Sequence, residues 1–338
     1  MTFPVSCSTP SSGALSRYLP GVYELFAGAN GHLECLYAGH GWSDVYLVRA
    51  WDGPTGSLRR YFLKVYAGGW RTEADVLFEL DFLRHLDRKG ISVALPLVGR
   101  NGETIQWLEL PEGRRCFVLS HAAPGRPLGE QTDEIQATLL GSLAAQLHAA
   151  AEDFYSPHQR TPLTIERLLD LSPLEAFGRP NDEGLARVRR AAARVTEFLE
   201  MLPLSALERG VCHGDLGGRN VFLDGEPGGR TTLIDFDDCG PGYLAYELGH
   251  VLMYFRLFRA GAADRLWQRF VEGYASHRRL PEADLAAAPA FALARLLQVH
   301  AHDNPVGAAG DRWPATGYAD GTHWEWLLQA IHTLEAGL

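Results

Sequence analysis

The chain has 338 residues, 46% of them apolar and 21% charged, which suits one large two-lobed domain or two ordinary ones with a substantial core. Its 41 acidic residues outnumber the 31 basic ones and give a net charge of −10. A surface of that sign repels phosphate backbones and anionic lipid, which argues against nucleic acid and membrane as partners and is compatible with a cationic substrate.

At the start, MTFPVSCSTPSSG has neither the basic region nor the apolar stretch of a secretion signal, and Cys7 lacks the setting of a lipoprotein anchor. The five cysteines (Cys7, Cys35, Cys116, Cys212, Cys239) are scattered without a C-x-x-C pair, the pattern of reduced thiols. No run reaches the roughly 18 apolar residues of a membrane span. A soluble, cytoplasmic protein is expected. Residues 33–39, 43–51 and 58–67 read as three strands, rich in Tyr, Val, Leu and Phe and divided by Gly39-His40-Gly41 and Asp52-Gly53-Pro54-Thr55-Gly56. An amphipathic helix follows at about 71–89, with Ala74, Leu77, Phe78, Phe82 and Leu86 on one stripe and Gly90 as the stop. Two more strands are predicted near 104–110 and 115–120, before Pro124-Gly125-Arg126-Pro127 breaks the chain. Beyond that the pattern is helical at about 131–151, 182–201, 243–260, 262–278, 282–302 and 322–336. A strand–loop–strand region at about 210–236 interrupts it, and 304–321 reads as a turn-rich loop. A β-rich first third and a helical remainder imply two lobes with a cleft between them.

Chemistry concentrates in VCHGDLGGRNVFLDG at 211–225 and TTLIDFDD at 231–238. Strand, tight turn and strand bring Asn220 and Asp235 together at the strand ends, two hard oxygen donors of the kind Mg²⁺ accepts while keeping water and phosphate oxygens in its shell. Asp215, upstream in the loop, then faces an incoming nucleophile. Phosphoryl transfer needs little beyond metal-neutralised phosphates, a cation on the nucleotide and a carboxylate to orient the attacking hydroxyl. Any one of these residues alone reads as an ordinary turn former; H-G-D-x₄-N followed by apolar-D-F at this spacing does not. Lys64, a lone cation among Phe62, Leu63 and Val65, supplies the nucleotide-binding charge, with Glu79 of the next helix chosen from Glu73, Asp75, Glu79 and Asp81 to fix its rotamer. The Gly39-His40-Gly41-Trp42-Ser43-Asp44 turn, on its own a plain hairpin, becomes a phosphate-covering loop because Lys64 follows it.

The order of Gly-turn, strand Lys64, helix Glu79, His213-x-Asp215-x₄-Asn220 and Asp235-Phe236 resembles the protein-kinase-like fold in its aminoglycoside phosphotransferase and choline kinase variant, over roughly residues 35–260. Ile234–Gly240 with Tyr246-Glu247-Leu248-Gly249 looks closest to the homoserine-kinase-like and stress-response-kinase-like branch. The resemblance implies a bilobal α+β fold. Residues 1–120 would form a nucleotide-binding lobe of antiparallel sheet and one helix, and 121–338 a larger, mainly helical catalytic and acceptor-binding lobe. It implies that Asp215 is the catalytic carboxylate and that Asn220 and Asp235 hold Mg²⁺. Lys64 would bind the α/β-phosphates of ATP or GTP, held by Glu79, with Gly39, Gly41 and Ser43 near the phosphates. Backbone groups of Ser120 to Ala122 would meet the purine.

Departures from the family pattern refine this. Gly214 stands where loop-activated kinases carry Arg, Asp237 replaces the Gly of D-F-G, and no A-P-E segment follows, so the expected acceptor is a hydroxyl on a small, amine-bearing metabolite or antibiotic. A Ser or Thr side chain of a protein is the alternative acceptor, and a non-catalytic nucleotide-binding module the alternative class. Glu247 stands where relatives usually have Asp, and the Gly-turn lacks a frequent Asn. Asp237 and Asp238 offer carboxylates for an acceptor amine or a second metal. His213 is expected to brace the loop. His300-Ala301-His302-Asp303, at a predicted helix end, reads as a dipole-complementing terminus before it reads as a metal site. Trp313, Tyr318, Trp324 and Trp326 read as core before they read as a cage for a cation.

Overall fold

Period-two burial organises the N-terminal part of the structure, a computed structural model that describes residues 8–26, 31–40, 43–53, 56–129, 132–172, 182–225, 229–308 and 322–338. Strands β1 (His32–His40), β2 (Ser43–Trp51) and β3 (Leu58–Tyr66) run antiparallel. After helix α2 (Glu73–Arg88), strands β4 (Gln106–Leu110) and β5 (Gly113–His121) complete one five-stranded sheet in the order β1-β2-β3-β5-β4. Along β3, Tyr61, Leu63 and Val65 point into a small core with Tyr46, Val48, Phe117 and Leu119, which leaves Phe62, Lys64 and Tyr66 on the opposite face. A helix absent from the sequence reading, α1 (Ser12–Val22), closes that small core. Ser11 caps it by accepting from the Ala14 N–H at 3.2 Å, and Leu15 and Leu19 bury against the sheet. Its sequence, polar at the start and carrying Pro20, hides the pattern.

Helix α2 begins at a capping box, with Thr72 accepting from the Asp75 N–H and Asp75 accepting from the Thr72 N–H. Its buried stripe belongs to the larger core, which runs on through the helical remainder. That remainder comprises α3 (Glu134–Ala150), the short α4 (Ile165–Leu168), α5 (Asp182–Glu200), α6 (Leu244–Phe258), α7 (Ala263–Ala275), α8 (Glu282–Ala308) and α9 (Thr322–Glu335). Two small sheets interrupt it: β6 (Arg126–Pro127), β8 (Val221–Asp224) and β9 (Arg230–Leu233) in one, β7 (Arg209–Cys212) and β10 (Gly240–Tyr243) in the other. The expected turn-rich segment at 304–321 is corrected in part, because α8 continues to Ala308; residues 309–321, with Trp313 and Tyr318, lie outside the described residues. His300 therefore sits inside α8 and not at its end, bonded through Nδ1 to the Leu296 carbonyl at 2.7 Å and stacked on Trp326. Cys35, Cys116, Cys212 and Cys239 are buried free thiols. Among the described residues no helix is long and apolar enough to cross a membrane.

One buried cation ties the strand ends together. Arg115 of β5 donates to Asp44 Oδ2 at 2.8 Å, to the carbonyls of Tyr66 (2.8 Å) and Val65 (3.0 Å), and to that of Ser8 (2.9 Å). Asp44, the last residue of the glycine-turn motif, is thus a structural partner at the mouth of the β1–β2 turn. Removing one member of a buried pair strands the other charge. Arg115→Ala is expected to lower the unfolding free energy by about 3–5 kcal/mol in urea titration, and Arg115→Ala with Asp44→Ala to recover part of that loss.

Candidate active site

The loop after β7 and the hairpin β8–β9 set the site. β10 returns antiparallel to β7, pairing Gly240 with Cys212, so the residues just before β10 lie beside the residues just after β7. The Ile234 N–H donates to the Asn220 carbonyl at 3.0 Å, which places Asn220 next to Asp235. Gly214 has φ +85, and a Cβ there would stand 2.3 Å from the Asp238 carbonyl oxygen. No larger residue fits that approach, which gives a physical reason for His-Gly-Asp in place of His-Arg-Asp. His213 accepts from the Asp215 N–H at 3.3 Å through Nδ1 and reaches the Ile234 carbonyl at 2.9 Å through Nε2. Phe236 packs against His213 (4.3 Å between centroids) and Phe82 of α2 (5.8 Å). Asp235 is the one non-glycine residue with positive φ, 61°, among the described residues. Such a conformation costs about 1–3 kcal/mol and is held only by surrounding structure.

Glu247, on the first turn of α6, is fully buried beneath this loop. Its Oε2 accepts from the N–H of His213 (2.5 Å) and of Gly214 (3.3 Å), and its Oε1 from that of Leu216 (3.4 Å). Burial alone would raise its pKa, but His148, His213 and His250 around the carboxylate outweigh it and bring the pKa down to about 2. Glu247 thereby gains the role that was open from sequence. Although His148, Cys212 and Glu247 cluster closely enough to suggest metal ligands, both Glu247 oxygens are already committed to backbone donors.

Above the loop, Asp215 is held on both oxygens. Asn220 Nδ2 donates to its Oδ2 at 2.7 Å and to its carbonyl at 2.9 Å. Arg295 of α8 donates to its Oδ1 at 2.9 Å, and His250 Nε2 lies 3.5 Å from the same oxygen. The side chain is still 37% exposed, so the carboxylate remains open to solvent. Because Asn220 spends its side-chain nitrogen on Asp215, its side-chain oxygen Oδ1 is the atom that can meet another ligand. That oxygen and the half-exposed Asp235 carboxylate are hard donors that suit a divalent cation.

Lys64 meets Asp235 at 3.0 Å and Asp237 at 3.2 Å. Burial would lower its pKa, but Asp235, Asp237 and Glu79 together raise it above an ordinary lysine. Glu79, expected to grip Lys64, is instead buried and accepts from the Tyr66 hydroxyl at 3.2 Å. Three carboxylates compete for one ammonium, and the two after β9 stand closer. Asp237 and Asp238, expected to meet an acceptor amine or second metal, are filled by the protein's own cations. Arg71 donates to Asp237 Oδ1 and Asp238 Oδ1, both at 2.9 Å, and Arg295 to Asp238 Oδ2 at 3.1 Å. Burial works against ionisation of Asp237, yet Lys64 and Arg71 hold its pKa below the usual carboxylate range.

The remaining predicted residues are Gly39, Gly41, Ser43 and the Ser120–Ala122 segment. Gly39 (φ 131) sits at an irregularity in the β1–β2 register, Gly41 is outside the described residues, and Ser43 is buried with no partner for its Oγ among the described residues. In the hinge segment, Ser120 pairs with Phe62 across the sheet. The N–H groups of His121 and Ala122 already donate to the carbonyls of Leu95 (2.9 Å) and Arg60 (3.1 Å). Sequence reading missed Arg71, His250 and Arg295. Arg295 had a signal, since it is the lone charge in the apolar run Ala287–Leu297.

The profile of the phosphotransferase enzyme family, APH, matches residues 34–280, and the chain belongs to that family. A protein of Deinococcus radiodurans is 38% identical over 71% of this chain and 69% of its own length. A homoserine kinase of Rhodospirillum rubrum is 30% identical over 64% of this chain and 65% of its own. The structure of a microcompartment-associated aminopropanol kinase superposes with a TM-score of 0.71 at 23% identity, covering 97% of this chain and 95% of that one. Amicoumacin kinase hAmiN, in complex with AMP-PNP, Ca²⁺ and Ami, gives 0.75 at 20% identity over 95% and 93%. The fold is the bilobal, protein-kinase-like α+β arrangement, and the protein is a phosphotransferase with hydroxyl groups as acceptors.

The Glu247 contacts carry a pH signature. A carboxyl with a folded pKa of about 2, below its unfolded value, stabilises the fold above the unfolded value and loses that contribution as pH falls toward 2. Glu247→Gln is expected to be less stable than the parent by about 3 kcal/mol at pH 7. The gap measured by chemical denaturation should close as pH drops from about 4.5 toward 2.

Proposed function

We propose that this protein transfers the γ-phosphoryl group of ATP or GTP to a hydroxyl on a small, amine-bearing molecule. One observation carries the reading: Asp215, Asn220, Asp235 and Lys64, from three separate segments, converge on one cleft, with Asn220 bonded to Asp215 at 2.7 Å and Lys64 to Asp235 at 3.0 Å. The amine is supported by relatives named for homoserine and aminopropanol, each of which carries both an amine and a hydroxyl.

In this reading Asp215 accepts a hydrogen bond from the acceptor hydroxyl on its exposed side, aims the oxygen at the γ-phosphorus, and takes the proton late, as a loose transition state requires. Asn220 fixes one Asp215 oxygen through Nδ2 while its side-chain Oδ1, with Asp235, would hold Mg²⁺. The ion, when bound, neutralises phosphate oxygens. Lys64 supplies the α/β-phosphate cation, and Glu79, inside the same electrostatic group, tunes it. The Gly39–Gly41 turn and the Ser43 hydroxyl border the phosphates, and the Ser120–Ala122 backbone borders the purine.

With γ-labelled ATP and a panel of amino alcohols, aminoglycosides and amines, label is expected on a small product. Asp215→Asn should retain nucleotide affinity and lose about 10²–10⁴-fold in turnover. Asp235→Ala should abolish the Mg²⁺-dependent part of nucleotide binding in calorimetry. Unchanged turnover in Asp215→Asn sinks the mechanism, and label on protein in place of a small product reassigns the acceptor.

A further inference from the structure

We propose that Arg295 of α8 is the positioning residue for the Asp215 carboxylate, which makes α8 a working part of the phosphoryl-transfer site. The inference rests on the reading of Asp215 as the group that orients the acceptor hydroxyl.

A guanidinium carries five N–H groups in a rigid plane. In Arg295 each has an acceptor. Nε donates to His250 Nδ1 at 3.3 Å. One terminal nitrogen donates to the Tyr246 hydroxyl at 3.1 Å and to Gln298 Oε1 at 3.2 Å. The other donates to Asp215 Oδ1 at 2.9 Å and to Asp238 Oδ2 at 3.1 Å. With no donor left over and the side chain buried, the group is not arranged to catch a substrate anion. It is a fixed fork whose outer tine spans two carboxylates.

The supports behind the fork are themselves anchored. Tyr246 hydroxyl donates to Gln298 Oε1 at 2.9 Å and lies 3.4 Å from the Gly214 carbonyl, so the back of the fork touches the same loop that carries Asp215. Because His250 Nδ1 accepts from Arg295, the His250 proton lies on Nε2, directed at Asp215 Oδ1 3.5 Å away. Close helix packing makes the reach possible. Gly249 of α6 lies against α8 so tightly that a Cβ would come within 2.6 Å of Phe291 Cβ. Asp215 is therefore pinned from two sides, Oδ2 by Asn220 and Oδ1 by Arg295, with only its exposed side left for a hydroxyl. A lysine could supply the charge but not the planar fork.

The test uses Mg²⁺-ATP with homoserine and 1-amino-2-propanol as acceptor probes, alongside hydrolysis of ATP to water at enzyme concentrations that permit single turnover. Arg295→Ala is expected to lower turnover by about 30- to 100-fold while the affinity for Mg²⁺-AMP-PNP changes by less than about threefold, since displacing a catalytic group acts on turnover. Guanidinium ion at sub-denaturing concentration should restore about tenfold or more in Arg295→Ala, and nothing in Asp215→Asn with Arg295→Ala. That double variant should lose no more than Asp215→Asn alone. Should Arg295→Ala fail to fold, Tyr246→Phe, which removes one support behind the fork and leaves the core filled, is expected to cost about three- to tenfold in turnover at unchanged nucleotide affinity. Wild-type turnover in Arg295→Ala or in Tyr246→Phe, an equal loss of nucleotide affinity, or additive losses in the double variant overturns the proposal. If Asp215→Asn itself turns over normally, the reading of Asp215 fails first, and the two failures are told apart.

Discussion

The buried carboxylate of Glu247 is the point from which the His213–Leu216 loop hangs. A loop between two short strands has backbone N–H groups that no ladder satisfies, and burying them unpaired is costly. Glu247 answers three of them at once, from His213, Gly214 and Leu216, and so fixes the path of the chain on either side of Asp215. It can do so because it lies on the first turn of α6, directly after β10, whose pairing with β7 holds the helix start under the loop. A longer side chain than the usual aspartate still serves, since what matters is two acceptor oxygens at the loop's underside.

Above that anchor acidic and basic side chains alternate, with carboxylates in excess. Glu79, Asp215, Asp235, Asp237 and Asp238 crowd together, and like charges this close cannot all remain ionised without cations among them. Lys64, Arg71 and Arg295 are interleaved so that Asp237 meets Lys64 and Arg71, Asp238 meets Arg71 and Arg295, and Asp215 meets Arg295. Asp235 and Asp215 remain the most exposed of the group, at 49% and 37%. Lys64 and Arg71 hold the pKa of Asp237, and Arg295 and Arg71 that of Asp238, below the usual carboxylate range against the cost of burial, while Asp235 and Asp215 are left accessible. The acidic pair after Phe236 is thus spent on internal pairing.

Period-two alternation in β3, the α2 stripe, the helix pattern of the C-terminal half and the H-G-D-x₄-N…D-F spacing were legible because each is local: neighbours in sequence impose them through strand pleat, helix pitch or turn geometry. Helix α1 was not, since its two buried leucines are too few to make a stripe and Pro20 argues against it. The nearer partners of Lys64, Asp235 and Asp237, were not legible for a different reason, although Glu79 still acts on its charge. Helical position makes Glu79 a candidate, but which carboxylate an ammonium takes depends on distances between segments far apart in the chain.

The sequence by itself therefore determined the family and the α+β division into a sheet-bearing and a helical part, and it singled out Lys64, Asp215, Asn220 and Asp235 as candidates that the fold brings together, because recognisable residue types at short, fixed spacings carry that information. Tertiary structure decided who pairs with whom. Arg71 and Arg295 enter the cleft from segments 167 and 57 residues from Asp238. Arg295 arrives there only because a glycine lets α6 and α8 pack close. Contacts across such separations are set by helix packing and chain crossing, which no local spacing encodes.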